Sequence, residues 1–205
     1  MEWPRKYLSW SQYSCWISSG TSHYEYFRRY LYNEPLPTTP AMQLGSRMAE
    51  MLDKRDQPTG DTMLEHYRTF LPRYEHREEE VRENYGLVPL LAKPDGFTVK
   101  VNGDILCGEY KTGKLWTQER ADAHEQIDFY DLVFWKKYGV IPLNTIHWIP
   151  TYTEPETGRI LPTGDWKDFP TLRTDAQLIK FGARLMMVWN EIGRLYAAEK
   201  QSIMP

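Results

Sequence analysis

Asp95, the pair Glu109 and Lys111, and the pair Gln126 and Tyr130 follow one another closely in the segments AKPDGF, GEYKTG and QIDFY. In a strand, residues i and i+2 point to one face, so Glu109 and Lys111 can stand side by side while Tyr110 points away. Phosphodiester hydrolysis needs that combination: carboxylates to fix a divalent cation, and a cationic side chain to orient water or offset developing charge. The same spacing also suits an ordinary solvated ion pair on a strand, so the Glu-x-Lys alone does not choose between them.

The elements that must position these residues are a β-hairpin and a following helix. FTVKV and ILCGEY read as two strands around Asn102-Gly103, a strong hairpin signal. A loop of Asn102-Gly103-Asp104 sets Val101 against Ile105, Val99 against Cys107, Phe97 against Glu109 and Asp95 against Lys111. One face is then apolar near the turn and charged at the far end. A one-residue slip exchanges the faces, so this register, or a bulge with the same outcome, is preferred. Three charges on a face that buries its apolar part require a purpose, because unpaired buried charge is costly. A cation between the two carboxylates supplies one.

The chain has 205 residues and a formal net charge of −3, which predicts one domain with a substantial core and no basic tail that would advertise nucleic acid. Cys15 and Cys107 are its two cysteines, too few for a four-cysteine zinc or iron–sulfur site and no sign of a disulfide scaffold. MEWPRKYLSW lacks the pattern of a signal peptide, and no apolar run approaches membrane-spanning length. The expectation is a cytoplasmic protein without a membrane partner.

Helical spacing predicts helices over Leu8–Tyr32, interrupted at Ser18–Ser22, and over Ala41–Lys54, Thr62–Phe70, Trp116–Tyr138 and Thr174–Lys200. Gly45, inside the second of these, suggests a close packing contact. Asn33–Pro40 and Asp56–Asp61 read as loops, and charge-dense Arg73–Asn84 as a solvated helix or loop. Val140–Thr153 contains a strand, and Pro155–Gly164 is a turn-rich β segment. This order fits an α/β fold: a small central mixed sheet flanked by helices.

In these motifs the sequence resembles the PD-(D/E)XK nuclease superfamily, specifically its phage-type and RecB-like exonuclease branch. Pro94-Asp95 with Glu109-Tyr110-Lys111 matches the defining motif, and Thr112-Gly113 with Gln126-x-x-x-Tyr130 matches the RecB-type extension. YLSWSQYSCW and AMQLGSRMAEML are similar to the family's first helices, and Arg173-Thr174 with Leu178 to the start of its last. Many RecB-like members carry a histidine on the Gly-containing helix; this chain has Ala49 there, followed by Glu50.

The resemblance implies a restriction-endonuclease-like core spanning the chain, with residues 1–55 its helical N-terminal part, and a Mg²⁺- or Mn²⁺-dependent deoxyribonuclease. Asp95, Glu109 and the Tyr110 carbonyl would ligate the ion, oxygen donors suiting such hard cations. Glu50 would complete the shell, Lys111 would position the water, and Gln126 and Tyr130 would brace the site or touch a phosphate. Arg28, Arg29, Arg47 and Arg173 are candidate phosphate contacts. The substrate implied is linear duplex DNA, digested from its ends in phage or bacterial recombination. A homo-oligomer, most plausibly a trimer, and a single-strand annealing protein are the implied partners. A structure-specific or restriction-type endonuclease, and a non-catalytic DNA-binding or assembly protein on the same fold, are the alternatives.

Overall fold

A computed structural model of the chain describes residues 5–35, 37–54, 60–113 and 115–203. The elements run β1 (Leu8–Ser9), α1 (Trp10–Ser18), α2 (Tyr24–Tyr30), α3 (Pro40–Asp53), α4 (Thr62–Phe70), β2 (His76–Arg77), β3 (Val81–Tyr85), β4 (Val88–Ala92) and β5 (Gly96–Val99). They continue with β6 (Ile105–Gly113), α5 (Gln118–Asp122), α6 (Glu125–Tyr138), β7 (Leu143–Thr153), β8 (Ile160–Pro162), β9 (Lys167–Thr171) and α7 (Asp175–Ile203). The larger sheet runs β2-β5-β6-β7, with β9 and β8 pairing antiparallel to successive stretches of β7. Since β5 and β6 pair antiparallel and β6 and β7 parallel, the sheet is mixed. A smaller sheet has the order β1-β4-β3. The fold is α/β, a small central mixed sheet flanked by helices, with a restriction-endonuclease-like core.

Alternation along β6 divides the interior. Ile105 and Cys107 face a core built from α1, α6, α7, β3 and β4, including Phe134, Phe181 and Leu185. Tyr110, on the other face, joins a second core of α3 and α4 with Ile149 of β7. Residues on both faces of β7 are therefore buried, as a central strand requires.

Several expectations are corrected. The hairpin pairs Val99 with Ile105, Phe97 with Cys107 and Gly96 with Gly108, two positions away from the predicted partners. The loop is Val101-Asn102-Gly103: Gly103 N–H donates to the Lys100 carbonyl, Lys100 N–H to the Asp104 carbonyl, and Gly103 takes φ +89°. A turn ended by a left-handed glycine closes the hairpin one residue earlier. Val101 is left fully exposed. A shift of two preserves the faces, so Glu109 and Lys111 keep their side of the sheet.

Arg73–Asn84, expected as a solvated helix or loop, instead carries β2 and β3. In β3, Val81 is buried while Arg82 and Asn84 are exposed, an alternation that charge density hides. Leu8 and Ser9 precede α1 as a strand beside Leu90 and Leu91 of β4. The helix predicted over Trp116–Tyr138 is two, α5 and α6, parted at Ala123-His124. Of the loop expected over Asp56–Asp61, residues 56–59 lie outside the described residues. Gly45 makes no close contact: an added Cβ would meet nothing within 4 Å.

Candidate active site

The ladder between β5 and β6 stops at Gly96 and Gly108. Pro94, lacking an N–H, cannot prolong it, and β6 runs on beside β7 alone to Gly113. At that step the Asp95 carboxylate takes the place of a strand, its Oδ2 accepting from Tyr110 N–H at 2.7 Å. A residue's N–H and C=O leave a strand on the same side, so the Tyr110 carbonyl points to the edge that Asp95 occupies.

Glu109 and Lys111 lie on the face toward α6. Lys111 Nζ donates to Glu109 Oε1 at 2.6 Å and to Gln126 Oε1 at 2.8 Å. Gln126 Nε2 donates to Glu109 Oε1 at 2.6 Å and to the Tyr130 hydroxyl at 2.7 Å. Tyr130 in turn donates to the Lys93 carbonyl at 3.0 Å. Gln126 and Tyr130 meet because they sit one turn apart on α6. The Glu109 side chain is 6% exposed, and its second oxygen, Oε2, is buried with no hydrogen-bond partner among the described residues. A buried carboxylate oxygen without a donor costs on the order of 1–3 kcal/mol or more.

The electrostatics follow from this crowding. Burial, and then the neighbouring Glu109 charge, hold the Asp95 carboxyl well above the ordinary range, against the pull of the Tyr110 N–H and Lys111. Burial followed by Glu109 likewise pushes Tyr130 up, so its hydroxyl stays protonated. Burial and the Glu109 charge together favour the protonated form of Asp95 unless a cation offsets them. Among the described residues, no cluster of three or more His, Cys, Asp or Glu side chains could hold a metal. The donor set is smaller: two carboxylates, one with an orphaned oxygen, and a backbone carbonyl on the same edge. All are oxygen, which fits Mg²⁺ or Mn²⁺ and not a softer ion.

The structure thus brings together Asp95, Glu109, Lys111, Gln126 and Tyr130. It does not bring Glu50 to them. That side chain is 63% exposed and pairs with Lys54 at 2.7 Å. A cavity of about 100 Å³ opens beside Asp95, and Gly45 and Ala49 of α3 face it where larger side chains would fill it. Asp53 and Glu78 also line it. These acidic residues were not singled out in the sequence. Asp53 stands one turn beyond Glu50, which helical spacing could have suggested; Glu78, at φ +50°, left no readable signal. Lys93 Nζ pairs with Glu78 at 2.6 Å.

The candidate phosphate contacts are elsewhere engaged. Arg28 pairs with Glu25 and Glu34, and Arg47 with Asp61 at 2.7 Å. Arg173 is buried; it pairs with Asp128 and donates to the His124 carbonyl, which anchors the start of α6. Buried in this way, Arg173 is a structural residue and is not available to a phosphate. His124, which sequence reasoning also passed over, places Nε2 3.2 Å from Gln126 Oε1.

No protein-family model and no curated protein matches the sequence. Solved structures do. An exonuclease candidate from Eubacterium rectale is similar over 98% of this chain and 84% of its own, with a TM-score of 0.59 and 14% identity. An alkaline exonuclease from Laribacter hongkongensis aligns more loosely, over 95% of this chain and 94% of its own, with a TM-score of 0.43 and 14% identity. At such identities the likeness concerns the fold.

Proposed function

We propose that this protein is a divalent-cation-dependent nuclease that hydrolyses phosphodiester bonds from the ends of linear duplex DNA. The observation that carries the reading is the buried, unpartnered Oε2 of Glu109 beside the Asp95 carboxyl. An arrangement that costs stability in the free protein becomes favourable when a cation is held between the two. Asp95, Glu109 and the Tyr110 carbonyl are the proposed ligands, Mg²⁺ or Mn²⁺ the proposed ion. When bound, such an ion polarises a phosphoryl oxygen and makes water more acidic.

The remaining residues act on geometry and charge. Lys111, held by Glu109 and Gln126 and 25% exposed, keeps its ammonium at the rim, where it can orient water or meet charge developing on the phosphate. Gln126 bonds both Lys111 and Glu109, and Tyr130 ties that carboxamide to the Lys93 backbone. None of these groups reads a base, so cleavage is indifferent to sequence. Preference for ends is the finer part of the proposal and rests on the sequence resemblance to phage-type exonucleases, as does a ring-forming oligomer.

The test is incubation with Mg²⁺ of end-labelled linear duplex and covalently closed circles of the same sequence. Progressive loss of the linear DNA with persistence of the circles is expected. Circles cut as fast as linear duplex would make the protein an endonuclease, and absence of cleavage on either with Mg²⁺ or Mn²⁺ would remove the nuclease reading.

A further inference from the structure

Resting on the reading of Glu109 and Lys111 above, we infer that His124 is a positioning residue. It donates from Nε2 to Gln126 Oε1 and so fixes which way the carboxamide faces between Lys111 and Glu109. The carboxamide has four hydrogen-bonding capacities and all are used. Its oxygen accepts from Lys111 and lies 3.2 Å from His124 Nε2; its nitrogen donates to Glu109 and Tyr130. Turned over, the amide would set its NH₂ against the Lys111 ammonium and its oxygen against the Glu109 carboxylate.

The Lys111 and Glu109 charges favour the observed orientation, and what His124 offers decides whether it is reinforced or opposed. An imidazole protonated on Nε2 donates to the oxygen and reinforces the observed arrangement. One with a bare Nε2 would accept from the NH₂ and favour the turned-over amide. The surroundings prepare His124 for the first role. Its ring sits edge-on to Trp116, with centroids 5.0 Å apart at 89°, and to Trp10, at 6.1 Å and 70°. Its carbonyl accepts from Ile127 N–H at 3.0 Å and from Arg173 Nη2 at 3.3 Å, so backbone and ring are both held. Burial and then the Lys111 charge lower its pKa to about 4, which keeps the ring uncharged at neutral pH. His124 heads α6 but makes no side-chain cap to it, so its ring is free of that duty.

Two readouts test this. In long-range proton–nitrogen NMR of the wild-type protein, His124 should carry its proton on Nε2 across neutral pH. In cleavage kinetics, His124→Phe keeps an aromatic ring for the tryptophans but removes the donor. It should lower kcat by roughly tenfold, the scale of one hydrogen bond, with KM unchanged, and His124→Gln, which returns an N–H at a similar reach, should recover most of it. A proton on Nδ1 with bare Nε2 overturns the inference, as does wild-type kcat in His124→Phe or a loss that His124→Gln does not recover. If the wild-type protein cleaves no DNA, the nuclease reading fails by itself. The His124 tautomer, and a shift of the Gln126 amide resonances in His124→Phe, then decide the positioning role alone: both present supports it, and either absent overturns it.

Discussion

Two polar networks lie on opposite faces of the same pair of strands, and they are finished differently. On the face toward α3 and α4, His147 of β7 is 2% exposed, with Nδ1 2.7 Å from Asp168 Oδ1 and Nε2 2.8 Å from the Tyr74 hydroxyl. Both ring nitrogens are occupied, the carboxylate reaches solvent, and the chain of contacts closes. On the face toward α6, Glu109, Lys111, Gln126 and Tyr130 are equally well connected, yet Glu109 retains a buried oxygen with no donor among the described residues. A closed network serves stability and leaves nothing to bind. An open one costs stability in the free protein, a cost that the proposed cation would offset.

Breaking each network should therefore have opposite consequences. Lys111→Arg, which keeps a cation beside the buried Glu109 carboxylate, should reduce cleavage by about tenfold or more because the guanidinium cannot take the ammonium's position, with little change in thermal stability. Tyr74→Phe should do the reverse, leaving turnover intact and costing on the order of 1 kcal/mol in urea unfolding for one hydrogen bond. Equal effects of the two variants on either quantity would erase the distinction.

The closed side can also be broken sterically. Tyr74 lies across Gly96 and Gly108, and a Cβ on Gly108 would come within 2.2 Å of its ring. The ring is pinned by its bond to His147 and cannot move aside. Gly108→Ala should cost roughly 1–3 kcal/mol by overpacking, read as a lower denaturation midpoint. Wild-type stability in that variant would mean the ring is not held there.

A pH-dependent effect sharpens the comparison at a third buried group. Asp131 on α6 is fully buried, both oxygens accept from Asn144 Nδ2, and burial pushes its pKa up to about 8. With the folded pKa above the unfolded value of about 3.9, the folded state holds the extra proton. Stability is then lost as pH rises from about 4 to 8, by at most about 1.4 kcal/mol per pH unit. Asp131→Asn should flatten that slope in denaturant unfolding between pH 5 and 8. Parallel curves for the two proteins would refute the assignment.

Much of the site was legible because it is local. Asp95, Glu109 and Lys111 belong to one hairpin, where period-2 alternation determines the face of Glu109 and Lys111, and an error of two in register left that face unchanged. Gln126 and Tyr130 share one helix, where a spacing of four puts them together. What was not legible depends on contacts distant in sequence. Whether Glu50 or Asp53 of α3 turns toward Asp95 depends on how the helix rolls against β6, and helical spacing does not set that roll. Arg173 was assigned to a phosphate because its partner, Asp128 on α6, is distant in sequence and only the fold brings the two together. Glu78 and His124 act from the ends of elements, where neither period applies. Likewise, β3 was hidden because Val81 and Tyr85, its two core contacts, are separated by Arg82-Glu83-Asn84.

The central claim is that Asp95 and Glu109 together hold a divalent cation. Calorimetric titration of Mn²⁺ into the wild-type protein, Asp95→Asn, Glu109→Gln and Tyr74→Phe tests it most directly. The account predicts binding in the wild-type protein and in Tyr74→Phe, its loss in both carboxylate variants, and a protein that stays folded in EDTA because its cores do not depend on the ion. Unchanged Mn²⁺ affinity in Asp95→Asn and Glu109→Gln would contradict it.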